Sequence, residues 1–121
     1  MQGWFRIEAD RRASLIRLTM GGFFDSATIG DMRAQLVTAI GSLTCPPNEH
    51  LTLCDIRGMD IQTQDRVEEF SRLVGSDDVR SRRLAFVTAR SLARLQAKRL
   101  SARADVEFFS DLESAHDWLT G

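Results

Sequence analysis

No apolar run in this 121-residue chain approaches the length needed to cross a bilayer, and residues 1–6 have neither the charged start nor the apolar stretch of a secretion signal. Both absences predict a cytoplasmic protein. Cysteine is scarce: Cys45 precedes Pro46 and Pro47, Cys54 lies inside the apolar stretch 51–56, and the spacing fits neither a zinc site nor a redox pair. Both are expected as free thiols, Cys54 as a small core residue. No set of His, Cys and carboxylates has metal-ligand spacing, no glycine-rich loop is placed to cradle phosphate, and there is no internal repeat or low-complexity tract. The two histidines, His50 and His116, stand far apart, and neither has a nearby Ser or Cys with a credible third partner. The pattern therefore predicts no catalytic residue, no metal, no cofactor and no enzyme.

What is present suits one domain, 1–121, long enough to bury a core without disulfides or metal. Hydrophobic residues make up 43% and charged residues 27%, well away from the composition of disordered chains. The net charge of −1 hides a marked asymmetry. Residues 79–103 hold Arg80, Arg82, Arg83, Arg90, Arg94, Lys98, Arg99 and Arg103 with no acid, whereas 104–121 hold Asp105, Glu107, Asp111, Glu113 and Asp117 with no Lys or Arg. Neighbouring elements are expected to pair these charges across their solvent faces. A nucleic-acid surface would interleave aromatics with the cations for base stacking, and 91–104 has none, so no nucleic-acid partner is expected.

Residues 4–8 and 14–20 read as an antiparallel hairpin turning through Asp10, Arg11 and Arg12, because Ile16, Leu18 and Met20 alternate with Arg17 and Thr19. Gly21 and Gly22 close it. Asp25, Ser26 and Thr28 offer caps for a helix whose Ile29, Met32, Leu36, Ile40 and Leu43 recur at helical spacing. After the break at 45–48, residues 50–56 form a third strand, and Asp65 with Glu68 reads as the capping pair of a helix carrying Val67, Phe70, Leu73 and Val74 on one face up to Gly75. The last third leaves least freedom: strand 84–89, basic helix 91–104, aromatic strand 105–109, then an acidic helix 112–119 opened by Ser110 and Glu113 and burying Leu112, Ala115, Trp118 and Leu119. Strands alternating with helices of this length predict an α/β fold, a mixed and mostly parallel five-stranded sheet with an N-terminal antiparallel hairpin and four helices in the order ββαβαβαβα.

In such a sheet, ligands occupy the crevice outside the carboxyl ends of the parallel strands. There the chain places Gly22 and Asp25, then Asp55, Arg57, Gly58, Met59 and Asp60, then Thr88 and Arg90, and finally Ser110 and Asp111. Arg57 with Asp55 and Asp60 reads either as a clamp for a carboxylate or as a structural ion pair closing the strand-to-helix connection. Phe24, Met59, Ile61, Phe70 and Trp118 line an apolar pocket on one reading and are ordinary core on the other. On the pocket reading, Arg57 or Arg90 draws the head group of an amphipathic ligand while the apolar residues take its tail.

Several stretches together resemble a known group. Gly22, Phe23, Phe24 and Asp25 after the hairpin, the strand ending at 53–58, the strand at 83–87 and above all 106–119, an aromatic strand followed by an acidic helix with Ala115, Trp118 and Leu119, are similar to the SpoIIAA-like family, relatives in fold of the STAS domains of anti-sigma factor antagonists and anion-transporter tails. The resemblance spans essentially the whole chain. It implies a five-stranded sheet with four helices, and a regulatory or binding module that takes a lipid-like ligand where helices part over an apolar cavity, or that meets a protein partner. In the antagonists a serine within an Asp-Ser-Ser-Gly pattern, where the third strand's loop enters the next helix, is phosphorylated. Here that stretch runs Asp60, Ile61, Gln62, Thr63, Gln64, Asp65, so the serine pair and glycine are missing and Thr63 alone is able to accept phosphate. The alternative function implied is thus a phospho-regulated switch at Thr63.

Overall fold

The alternation at 16–20 does build a strand, and it sits second in a five-stranded sheet. The computed structural model describes residues 1–88 and 105–121. Its elements are β1 (Trp4–Asp10), β2 (Leu15–Gly22), α1 (Ser26–Gly41), β3 (Leu51–Met59), α2 (Gln64–Val74), β4 (Arg83–Val87), β5 (Val106–Phe109) and α3 (Leu112–Thr120). The strands lie in the order β1-β2-β3-β4-β5, β1 antiparallel to β2 and every later pair parallel. The hairpin and the mixed sheet match the sequence reading. Three helices fall among the described residues, so the order ββαβαβαβα is not established. The helix expected over 91–104, and Arg90 beside it, lie outside them.

Because successive strand side chains point to opposite faces, the sheet separates two cores. Ile16, Leu18 and Met20 of β2, Cys54 and Ile56 of β3, and Leu84 and Phe86 of β4 face α1 and α2, meeting Ile29, Met32, Leu36, Phe70 and Leu73. Leu15, Leu51, Leu53, Ala85 and Val87 face the other way, under Ala115 and Leu119 of α3. β4 is apolar on both sides, as a central parallel strand should be. Asn48, at φ 63°, closes the proline break by donating from Nδ2 to the carbonyls of Asp77 and Arg80, both at 2.8 Å.

Helix ends depart from the sequence reading in two places. Thr63, not Asp65, is the N-cap of α2, its hydroxyl accepting from Arg66 N at 3.3 Å. Asp111, not Ser110, caps α3, accepting from Ser114 N at 2.7 Å. In both, the β-region backbone that a cap needs falls one or two positions from where spacing alone puts it. Asp25 caps α1 as expected, bonding Thr28 N at 2.8 Å and its hydroxyl at 2.7 Å.

On α3, Leu112 is 42% exposed rather than buried, and Trp118 is half-buried on the ring of Phe109 at 5.8 Å. Arg83 lies over the Trp118 ring at 5.4 Å and donates from Nη1 to its carbonyl at 2.9 Å, so this cation of the basic stretch meets an aromatic ring. The anchor of α3 is Leu119, 1% exposed. Leu119→Ala should cost about 2–5 kcal/mol and Leu112→Ala less than about 0.5 kcal/mol in urea unfolding. Equal midpoints for the two variants would show that α3 docks by another face.

Candidate functional site

The register of β3 decides what reaches each side of the sheet near its carboxyl edge. Thr19 pairs with Asp55, but Gly21 pairs with Gly58 and Gly22 with Met59, so two steps along β2 match three along β3. One extra residue is accommodated as a bulge, a device that re-aims side chains beside functional sites. Strict alternation after Cys54 and Ile56 would send Met59 to the α3 side. The bulge returns it to the side of α1 and α2, where it is buried.

Met59 there joins a cavity of about 90 Å³ between the sheet and these helices. Its walls are Met20, Cys54 and Ile56 from the sheet, Met32 and Leu36 from α1, and Val67, Phe70, Leu73 and Val74 from α2, with Leu84 and Phe86 of β4 beneath. Among the described residues, polar groups enter only as Thr52, Ser81, Asp60 and Gln62. Cys54 Sγ lies 3.7 Å from Met20 Sδ, and burial, helped by the neighbouring Asp55 charge, pushes its thiol far above the usual range. Such a thiol is a packing residue, not a nucleophile.

Sequence reasoning missed Gln62. Its buried Oε1 accepts from Phe24 N at 2.9 Å, while Nε2 donates to the carbonyls of Gly22 at 3.1 Å and Asp60 at 2.6 Å. One side chain thus ties the turn after β2 to the turn after β3. A glutamine three residues past a strand end carries no periodic signal, so only the fold reveals it.

The proposed ligand set is divided by this geometry. Met59 and Phe70 line the cavity. Phe24 supports it from behind, edge-on to Phe70 with ring centroids 5.4 Å apart. Asp55 and Arg57 lie outside that lining and hold each other, Arg57 Nε donating to Oδ1 at 3.0 Å and Nη2 to Oδ2 at 2.9 Å. Partial burial alone would raise the Asp55 pKa, but the side-chain and backbone bonds from Arg57 overcome it and hold the carboxyl below its ordinary value. Ile61 is 39% exposed at the carboxyl edge, as is Phe23 at 42%. Thr63 also faces solvent there. His50 is buried, its carbonyl accepting from Arg82 N at 2.7 Å, and His116 lies in an open groove with Arg17, Leu53, Leu112, Glu113 and Asp117. Among the described residues no three His, Cys, Asp or Glu are grouped to hold a metal, and no helix is long and apolar enough to cross a membrane.

This architecture has clear counterparts among solved structures. An uncharacterized protein of the DUF3478 family with a SpoIIAA-like fold, from Shewanella loihica, superposes with a TM-score of 0.70 at 21% identity, covering 98% of this chain and 94% of that one. An anti-sigma factor antagonist from Mycobacterium paratuberculosis superposes with a TM-score of 0.65 at 9% identity, covering 97% and 93%. The chain has the SpoIIAA-like, STAS-related fold. No family model matches the sequence, and no curated protein matches it.

Two consequences are measurable. Gln62→Leu removes the acceptor of the buried Phe24 N–H, and should lower stability by about 1–3 kcal/mol in urea titration. An unchanged midpoint would mean the two turns hold without it. Asp25, Asp55, Asp78 and Asp111 all accept hydrogen bonds that hold their carboxyl groups below the ordinary aspartate value. A depressed folded-state pKa stabilises above the unfolded value and ceases to as pH falls through the folded one. The melting temperature should therefore hold steady down to about pH 5 and decline below about pH 4, less steeply in Asp55→Asn. A flat profile to pH 2 would contradict these carboxylate contacts.

Proposed function

We propose that the protein is a non-enzymatic, cytoplasmic STAS-like regulatory module that binds a small apolar or lipid-like ligand in the cavity beneath α2. The observation that carries this reading is the lining itself, which gathers Met20, Met32 and Met59 with Phe70 around one space under two helices. Methionine adapts to irregular apolar ligands because it is unbranched and polarizable. At about 90 Å³ the space is smaller than an engineered apolar cavity of roughly 150 Å³ that takes up benzene, so a longer ligand enters as the helices part. Arg57 is already engaged by Asp55, so a neutral polar end suits the site better than a carboxylate. Arg90, the other candidate for a head group, lies outside the described residues.

The test uses N-phenyl-1-naphthylamine, a neutral apolar fluorophore, in protein found empty by native mass spectrometry. Saturable enhancement, displaced more readily by 1-decanol than by decanoate and weakened at least about tenfold in Met59→Asp, is the expected result. No saturable enhancement would overturn the ligand reading.

A second reading is favoured by the carboxyl edge. Thr63 presents its hydroxyl at the N-cap of α2, where phosphate would gain from the helix dipole, and Phe23 and Ile61 are exposed at the ends of neighbouring strands. In this reading the edge meets a protein partner, and phosphate on Thr63 controls the contact. Peptide mass spectrometry of the protein taken from its own growing and stationary cells should find phosphothreonine at position 63. Unmodified Thr63 in both would remove the phospho-switch.

A further inference from the structure

The two helices over the cavity are joined side by side through polar bonds. Ser26 Oγ, at the start of α1, donates to Glu69 Oε1 of α2 at 2.7 Å, and Arg66 Nη1 bonds both that carboxylate, at 2.7 Å, and the Ser26 hydroxyl. Seven residues further along α1, Arg33 Nη2 donates to Asp78 Oδ2 at 2.6 Å and to Ser76 Oγ at 3.1 Å, just beyond the end of α2. Ser76 in turn donates to Asp78. α1 and α2 each connect one parallel strand to the next and run the same way, so these clasps stand about 10 Å apart along one seam. Met32, Phe70 and Leu73 of the same two helices face inward, where they wall the cavity.

An apolar seam resists opening in proportion to the area it would expose. A clasp behaves differently. Its charged groups are already partly hydrated, with side-chain exposures of 22% for both Arg66 and Glu69 and of 43% and 46% for Arg33 and Asp78, so water replaces the broken bonds at little net cost. Such bonds set a geometry without holding it permanently.

We propose that the α1–α2 seam is a two-point latch over the cavity, closed by Ser26 with Arg66 and Glu69 at one end and by Arg33 with Ser76 and Asp78 at the other, and that release of both clasps lets the helices separate. The latch rests on the ligand reading for its purpose, not for its mechanics. Amide hydrogen exchange in the double variant Ser26→Ala, Arg33→Met reads the mechanics alone. Amides of α1 and α2 should exchange about fivefold faster or more, while those of α3 on the opposite face keep the wild-type rate. Restoring the second clasp in reversed polarity, Arg33→Asp with Asp78→Arg on the Ser26→Ala background, should slow exchange again. Unchanged exchange in α1 and α2, or an equal acceleration in α3, would overturn the latch. Where exchange rises as expected, N-phenyl-1-naphthylamine should also associate faster with the double variant. Faster exchange without any uptake of the fluorophore would leave the latch standing and remove the ligand reading instead.

Discussion

The register of β3 against β2 is the constraint on which the functional edge depends. One extra residue between Asp55 and Gly58 sends Met59 into the cavity and leaves the Asp55–Arg57 fork outside it. Without the bulge, the side-chain period of two would leave Asp55 where it is and turn Met59 to that same face, away from the cavity. β2 pairs with β3 on both sides of the bulge, at Asp55 and again at Gly58 and Met59, while β4 pairs with β3 up to Asp55, so regular pairing leads into the irregular step.

The kind of contact changes with distance from β3. The sheet and the inner helix faces are close-packed, and Gln62 binds the two turns at its carboxyl edge into one unit. Beyond that unit, α1 and α2 meet each other through serine hydroxyls and partly hydrated ion pairs. The cavity therefore has an apolar sheet as its floor and, over it, two helices joined at their outer edges by hydrated bonds. Thr63, Phe23 and Ile61 lie along that edge, and α2 runs from it directly over the cavity.

Much of this was legible in the sequence because it rests on periodicity. The alternation of Ile16, Leu18 and Met20 specified β2, the spacing of Ile29, Met32 and Leu36 specified α1, and the apolar stretch at 84–87 specified a strand covered on both faces. Met59 and Phe70 were legible as apolar residues near a strand end and on a helix face, with pocket and core both open as their place; they wall the cavity. The remainder failed for physical reasons. A bulge adds a residue without altering composition, so the strand was expected to end at Ile56 and Arg57 was placed in a connection rather than in β3. Caps at Thr63 and Asp111 depend on the backbone angles of single residues. The bonds of Ser26, Arg33 and Gln62 join residues 38 to 45 apart in the chain, a separation at which local pattern carries no information.

The claim that the methionine-lined space is the ligand site is tested most directly by methyl NMR of protein labelled with ¹³C at the methionine methyl groups. Three of the four methionines wall the cavity, whereas Met1 is 80% exposed and serves as the internal control. Adding 1-decanol should move the resonances of Met20, Met32 and Met59 saturably and leave Met1 in place. Resonances that stay fixed, or a Met1 signal that moves alone, would contradict the account.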